Sequence, residues 1–236
     1  MKKVGIMQPY IFSYIGYWQL IHAVDIFVVL DDVNFITRGY INRNSILVNG
    51  MEYKFSIPVR KCSQNKLICE SELCFTKQER EKFLKMIFMA YKKAPEFEKV
   101  YPVLEMIINH DTQDVTEFII YSIQKICEYL FIETEICRSM ELKKNNKLRA
   151  QERILEICRV LGADTYINPC GGYELYSQER FQREHMDLYF LSPKMSEITY
   201  QQFANSFIPN LSIIDMLMFN SVEKIKFFLE KYELIK

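Results

Sequence analysis

Two acidic residues, Asp31-Asp32, close the apolar run Ile26–Leu30. A carboxylate at the end of a buried strand can orient a ribose, hold Mg²⁺ or act as a base. Side chains of adjacent residues on an extended chain point opposite ways, so one of the two acids faces any cleft that forms there. The plain alternative is a solvated turn capping the next element. A second group is Asn42-Arg43-Asn44, with Arg38 just upstream. A guanidinium grips phosphate or carboxylate through paired N–H groups, and flanking amides can both donate and accept; the alternative is a polar turn before a strand. A third is Asn168-Pro169-Cys170-Gly171-Gly172, where the glycines let backbone N–H groups approach a ligand closely or simply make a tight turn. Gln8-Pro9-Tyr10 follows a further apolar run. Asp215, in Ser212-Ile213-Ile214-Asp215, is either a partner of a helix cap or a buried functional acid.

The three histidines, His22, His110 and His185, read as packed or helix-end residues. Acid–base work therefore falls to carboxylates, Tyr or Lys. Cys170 has no histidine near it in sequence to activate it as a nucleophile.

These residues need elements to position them. Lys3–Met7 reads as a buried strand, residues 10–16 as an aromatic loop, Tyr17–Val24 as a short helix and Ile26–Leu30 as a second strand. Such a βαβ unit implies parallel strands and a right-handed crossover. Ile46–Val48 and Tyr53–Val59 flank Asn49-Gly50, a hairpin signal, and Leu67–Phe75 reads as another strand. Helical spacing covers 78–93, 99–109 and 115–130. Thr134–Arg138 is a return strand, and the helix Leu148–Leu161 ends at Gly162. The strands Thr165–Asn168 and Asp187–Leu191 flank a helix at 174–184, and 203–207, 213–219 and 222–229 read as helices. The expected fold is a single α/β domain over 1–236: a Rossmann-like parallel sheet core with a β-hairpin and a helical insertion at 77–130. Ligands of open parallel sheets bind beyond the carboxyl ends of the strands. If these strands are parallel neighbours, Gln8–Tyr10, Asp31-Asp32 and Asn168–Gly172 converge on one cleft.

Bulk properties narrow the function. Thirty basic residues balance thirty acidic ones, which gives no electrostatic ground for nucleic acid or an anionic membrane as main partner. Nearly half the chain is hydrophobic and glycine and proline are scarce, so a sizeable core is expected. The N-terminus lacks a signal-peptide pattern and no window of about 20 residues is apolar enough to span a bilayer, so a cytoplasmic protein is expected, without membrane insertion. The seven cysteines (Cys62, Cys69, Cys74, Cys127, Cys137, Cys158 and Cys170) are odd in number and form no CxxC pair. Neither a disulfide framework nor a metal site is expected, and Cys127 and Cys158 read as core.

Six ordered segments carry a family resemblance: Met7-Gln8-Pro9-Tyr10, Tyr14-Ile15-Gly16-Tyr17, Asp31-Asp32-Val33-Asn34-Phe35, Gly39-Tyr40-Ile41-Asn42-Arg43-Asn44, Tyr166-Ile167-Asn168-Pro169 and Leu211-Ser212-Ile213-Ile214-Asp215. Together they resemble the WbqC-like family from about residue 4 to about residue 220. Ser13 stands where such sequences often have Pro, and Tyr40 where they often have Trp. The resemblance implies a role in bacterial O-antigen and related polysaccharide synthesis, with transfer of glycine or another acyl group suggested. The start of the chain is also similar, more loosely, to the nucleotidyltransferase-like α/β superfamily that includes pantothenate synthetase. Tyr14-Ile15-Gly16-Tyr17 occupies the place of its His-x-Gly-His type signature, so both histidines are absent, and a neutral phenol stabilises developing phosphate charge less than an imidazolium does.

The resemblance thus implies an enzyme that attaches an acyl or aminoacyl group to the amine of a nucleotide-linked amino sugar. Asp31, Asp32 and Asp215 are then the candidate catalytic acids. Tyr10, Tyr14 and Tyr17 line the pocket with Gln8 and Gly16. Arg38, Asn42, Arg43 and Asn44 hold phosphate or carboxylate, and Asn168, Gly171 and Gly172 complete the binding set. The cofactor stays open: ATP with Mg²⁺ making an acyl-adenylate, or a ready-made thioester or aminoacyl-tRNA donor, the last disfavoured by the neutral charge. A non-catalytic nucleotide-sugar-binding protein in an assembly complex is the alternative. Oligomeric state is not legible.

Overall fold

The computed structural model describes residues 1–61 and 63–236, so Cys62 lies outside the described residues. The central strand β1 (Lys3–Met7) is followed by helix α1 (Ile15–Ala23) and strand β2 (Ile26–Val29). The chain continues through a hairpin, β3 (Arg43–Val48) and β4 (Met51–Ser56), then three helices, α2 (Lys77–Tyr91), α3 (Phe97–Ile108) and α4 (Val115–Leu130). Strand β5 (Glu135–Arg138), α5 (Ala150–Leu161), β6 (Thr165–Pro169), α6 (Gln178–Arg183) and β7 (Asp187–Pro193) follow. Helices α7 (Ile213–Phe219) and α8 (Val222–Leu229) lead to the edge strand β8 (Tyr232–Ile235).

The main sheet has the order β5-β2-β1-β6-β7-β8. Its first five strands run parallel and only β8 is antiparallel. From β1 the chain steps to β2 and outward to β5, then returns through α5 to β6 on the other side of β1. The strand order therefore reverses between β1 and β6, and the carboxyl ends of these two strands diverge into a crevice.

Alternation along the strands separates two cores. Val4, Ile6, Ile26, Val28, Tyr166 and Leu188 face Ile154, Leu155, Ile157 and Cys158 of α5 and Phe181 of α6. Phe27, Val29, Ile167 and Leu191 point into a larger core with Leu20 and Ile21 of α1, Phe228 of α8 and the apolar faces of α2–α4. A sheet covered on both faces explains why β2 is buried at all four positions.

Local chemistry accounts for several boundaries. Asn49 and Gly50 both have positive φ (51° and 76°), the requirement of the two-residue hairpin turn between β3 and β4. Thr76 and Glu79 form a reciprocal capping box at the start of α2. The Asp114 carboxylate accepts the Thr116 and Glu117 N–H groups that open α4.

Two expectations need correction, and one element has no counterpart in the sequence reading. Leu67–Phe75 is not a continuous strand but a short 3₁₀ turn at Ile68–Glu70 with isolated bridges on either side. There the Glu70 carboxylate accepts the Leu67 N–H and the Ser71 hydroxyl donates to the Leu67 carbonyl, local bonds that replace a ladder. Residues 203–207 are not helical: Phe203 has φ 53°, and Gln202 closes a loop by accepting the Ile208 N–H and donating to its carbonyl. The terminal strand β8 was not anticipated. It lies at the sheet edge because α8 is tied to α1 by the buried Gln19 amide, which donates to the carbonyls of Phe228 and Lys231.

Candidate functional site: an aromatic cavity at the β1–β6 crevice

A cavity of about 250 Å³ opens where the strand order reverses. Its floor is Met7, Gln8 and Pro9 from the end of β1 and Pro169 from the end of β6; its walls are Tyr10, Tyr14 and Tyr17, and its rim is Ile36, Gly39, Tyr40 and Ile41. The tyrosines form a connected set. Tyr10 lies 5.1 Å from Tyr40 between ring centroids, 6.0 Å from Tyr17 in an edge-on arrangement and 6.5 Å from Tyr14. The Tyr17 hydroxyl donates to the Gln8 carbonyl at 3.1 Å, joining α1 to the end of β1. The Tyr14 ring lies so close over Gly16 that a Cβ there would sit 2.6 Å from it, so the absence of a side chain at residue 16 sets where this wall stands.

No group lining the cavity carries a charge. Burial raises the phenol pKa of Tyr10, reinforced by Tyr40 and Tyr14. Burial likewise raises Tyr14, with a smaller contribution from nearby Cys170, and Tyr17. At neutral pH all three are hydrogen-bonding phenols and none is a base. The Gln8 amide forms no hydrogen bond within the described residues and offers one donor–acceptor edge among π faces. The arrangement suits a single ring held by stacking and oriented by a few polar contacts.

The other candidate residues separate into scaffold and surface. The Asn44 amide donates to the carbonyls of Ile11 (3.0 Å) and Phe12 (2.5 Å), and its oxygen accepts the Ser45 N–H. Asn42 exchanges two bonds with Ile57, amide to carbonyl and carbonyl to N–H, both 2.8 Å. Asn44 thus fastens the hairpin to the aromatic loop, Asn42 closes the open end of the hairpin, and Ser212 holds the same loop by donating to the Phe12 carbonyl. Arg38 and Arg43 are exposed and make no ion pair among the described residues. Asn168 accepts the Tyr166 hydroxyl and donates to the Pro169 carbonyl. A Cβ on Gly172 would lie 2.0 Å from the Asn168 amide, whereas Gly171 faces open space. Cys170 is exposed, and the six described cysteines are free thiols.

Asp31 and Asp32 do leave the carboxyl end of β2, one strand from the cavity, but both side chains turn into ion pairs. Fully buried Asp31 accepts Arg138 Nε at 2.8 Å and the Met140 N–H at 3.0 Å. Burial raises its pKa, and Arg138 and Met140 offset only part of that. Asp32 Oδ2 receives Lys144 Nζ at 2.6 Å and Arg153 Nη2 at 2.5 Å. Burial alone would raise Asp32, but Lys144, Ser139 and Arg153 together hold its pKa below the usual carboxylate range. Asp215 is also fully buried, below the hairpin, where Tyr91, Tyr200 and Gln202 donate to it at 2.8, 2.8 and 2.6 Å. Burial without a countercharge raises its pKa.

Sequence reasoning named Gln8 of the floor, the three wall tyrosines Tyr10, Tyr14 and Tyr17, and the Gly16 beneath them. It did not assign Ile36, Gly39 or Tyr40 to the site, although Gly39-Tyr40-Ile41 stood in a recognised segment. It also missed Arg138, Lys144 and Arg153. The signal available was the surplus of acids after β2, which needed cations from elsewhere.

Fold and cavity together define a doubly wound α/β protein with an aromatic cavity at its topological switch point. Residues 8–227 match the model of the WbqC-like protein family, so the chain belongs to that family. It is similar to the uncharacterized protein Rv1507c of Mycobacterium tuberculosis (strain ATCC 25618 / H37Rv), at 24% identity over 92% of this chain and 93% of the relative. No solved structure matches it. Among the described residues no helix is long and apolar enough to cross a membrane, and no cluster of three or more His, Cys, Asp or Glu side chains could hold a metal ion.

Proposed function

We propose that this protein is a cytoplasmic transferase of bacterial surface-polysaccharide synthesis, forming an amide between an acyl or aminoacyl group and the amine of a nucleotide-linked amino sugar. The observation that carries this reading is the uncharged tyrosine cavity at the β1–β6 crevice. It is small enough to take one ring and leave the nucleotide outside. An ammonium group entering it loses water and meets no carboxylate, so the neutral amine is favoured. That amine is the nucleophile the reaction needs. Its nitrogen attacks the donor carbonyl, the new C–N bond forms as the bond to the donor's leaving group breaks, and the leaving group departs with the electron pair. The amine proton goes to the leaving group or to water. An activated donor is required, either a thioester or ester or an acyl-adenylate formed from ATP with Mg²⁺.

The test incubates purified protein with UDP- and dTDP-amino sugars and each donor class, and reads the amide product by mass increase. A product lost in Tyr10→Ala is expected; no product with any pair overturns the reading. One observation favours the alternative of a non-catalytic sugar-nucleotide-binding protein: no side chain of the cavity is poised as a base, and Asp31, Asp32 and Asp215 are all engaged elsewhere. Tight binding of an amino-sugar nucleotide without turnover is the expected outcome in that case.

A further inference from the structure

Among the described residues, the ion-pair cluster at the ends of β2 and β5 holds more hydrogen-bond donors than it uses. Arg138 spends Nε on Asp31 and Nη1 on Asp114, and its Nη2 is buried without a partner. Arg153 spends Nη2 on Asp32, and its Nε is buried without a partner. The fully buried Ser139 hydroxyl faces Asp32 but closes no hydrogen bond of good geometry. Lys144, with its side chain wholly out of water, bonds Asp32 and the Ser139 carbonyl, which leaves its third proton free. Against these donors stands one unused acceptor, Asp32 Oδ1. Even if Ser139 rotates onto that oxygen, two guanidinium N–H positions remain unmet, and buried donors are rarely left so.

The three cations and three carboxylates balance, but their charge is unevenly distributed. Arg138 sits between two carboxylates, Asp31 and Asp114, while Lys144 and Arg153 converge on one oxygen of Asp32. The Asp32 end therefore carries one positive charge more than its carboxylate neutralises. Asp32 and Arg138 keep 10% and 15% of their side-chain surface exposed, so the cluster lies just beneath the surface on that side, and a phosphate reaches its buried donors by displacing side chains there. It is also close to the cavity: Leu30 donates to the Met7 carbonyl at 2.7 Å, and Asp32 follows two residues later, about 7 Å of extended chain.

We propose that this cluster is a phosphate subsite for a sugar phosphate, with phosphoryl oxygens accepting from Arg153 Nε, Ser139 Oγ and Lys144 Nζ and a sugar hydroxyl donating to Asp32 Oδ1. This deepens the transferase reading, because it gives the phosphate of a nucleotide sugar a place one strand from the ring cavity. The sugar phosphate can be the amino-sugar 1-phosphate end or the nucleotide's own ribose phosphate, which share this chemistry.

Calorimetric titration of the purified protein with inorganic phosphate, glucosamine 1-phosphate and UMP tests the proposal. Saturable binding of at least one of the two sugar phosphates, tighter than inorganic phosphate, is expected; which of the two it is identifies the source. Ser139→Ala, which deletes a hydroxyl that faces Asp32 without closing a hydrogen bond of good geometry, should lower the melting temperature only slightly while weakening binding about fivefold. Asp32→Asn should weaken the preference for the sugar phosphates over inorganic phosphate, and Lys144→Met should abolish binding where it folds. No saturation by any of the three, or binding by Ser139→Ala and Asp32→Asn indistinguishable from the unsubstituted protein, overturns the proposal. These fragments need no donor and no amide formation. A failed transferase assay beside a positive titration therefore removes the reaction and keeps the subsite, and the reverse pair of results does the opposite.

Discussion

Asp32 and Asp215 are both carboxylates taken out of water, and their surroundings treat them in opposite ways. Asp32 lies at the carboxyl edge of the sheet between two cations, Lys144 and Arg153. Asp215 lies below the hairpin and meets only neutral donors, two phenols and an amide. The first carboxylate is held below its ordinary pKa, whereas the second is pushed above it. Burial opposes ionisation at both, so the difference comes from the partners: the two cations converging on Asp32 outweigh desolvation, whereas the neutral dipoles around Asp215 do not. An acid that looks functional in sequence can therefore be a fastener of either kind. Asp215 joins α7 to α2 through Tyr91, to β3 through the Leu47 N–H that Tyr91 accepts, and to the loop before α7 through Tyr200 and Gln202.

Removing the carboxylate should expose the contrast most strongly at Asp32. Asp32→Ala leaves two buried cations unpaired, and breaking such a pair costs about 3–5 kcal/mol. At about 2–4 °C per kcal/mol for a chain of this size, a fall of roughly 10 °C in melting temperature is expected by calorimetry. Asp215→Ala strands no charge but leaves three donors unmet, a loss of about 3 kcal/mol. If Asp215→Ala proves the more damaging of the two, the neutral hub matters more to the fold than the ion pairs do.

How much of this was legible follows the same division. The strands β1, β2, β6 and β7 could be read because buried parallel strands are nearly continuous apolar runs, as in Ile26–Val29. The helices α4, α7 and α8 were anticipated from apolar spacing, and their ends coincide with those read from it. The segment 67–75 and the loop at 203–207 were misread because side chains close to each, Glu70 and Gln202, satisfy the backbone locally. Propensity does not report such bonds. Within the site, Tyr10, Tyr14 and Tyr17 could be placed because they follow a strand directly. The fates of Asp31 and Asp32 could not, since their partners Arg138, Lys144 and Arg153 lie more than a hundred residues away in the chain. Asn42 and Asn44 look like ligand donors from their type alone, and only the folded chain reveals that they hold the carbonyl of Ile57 and those of Ile11 and Phe12.

A finer test lies inside the Asp215 hub. Tyr91 is the sole donor to Asp215 Oδ1 and also accepts the Leu47 N–H, while Tyr200 shares Oδ2 with Gln202. Tyr91→Phe strips one carboxylate oxygen and orphans a buried backbone N–H, a cost of about 2–3 kcal/mol. Tyr200→Phe leaves Oδ2 with the Gln202 amide and costs about 1 kcal/mol. Chemical denaturation of the two variants measures the gap. Equal losses would mean that the Leu47 N–H finds another acceptor and that the Tyr91 hydroxyl is worth no more than that of Tyr200.

The smallest effect is the most discriminating, because its sign differs between the two regions. Asp32 has a folded-state pKa below its unfolded value, so its ionised form contributes stability above the unfolded pKa, and this is lost as pH falls through the lowered folded value. The penalty of Asp32→Asn should therefore be full at pH 7 and shrink below about pH 4. Asp215 has a folded-state pKa above its unfolded value, so its contribution is full below the unfolded pKa and is lost as pH rises through the folded value. The penalty of Asp215→Asn should be greatest near pH 3 and shrink toward neutrality, changing by no more than about 1.4 kcal/mol per pH unit for one proton. Subtracting each variant's denaturation curve from that of the unsubstituted protein at every pH cancels the other titrating groups. The two difference curves should slope in opposite directions. Parallel slopes would mean that Asp215 is ionised as readily as Asp32, which requires a countercharge that its three neutral donors do not supply.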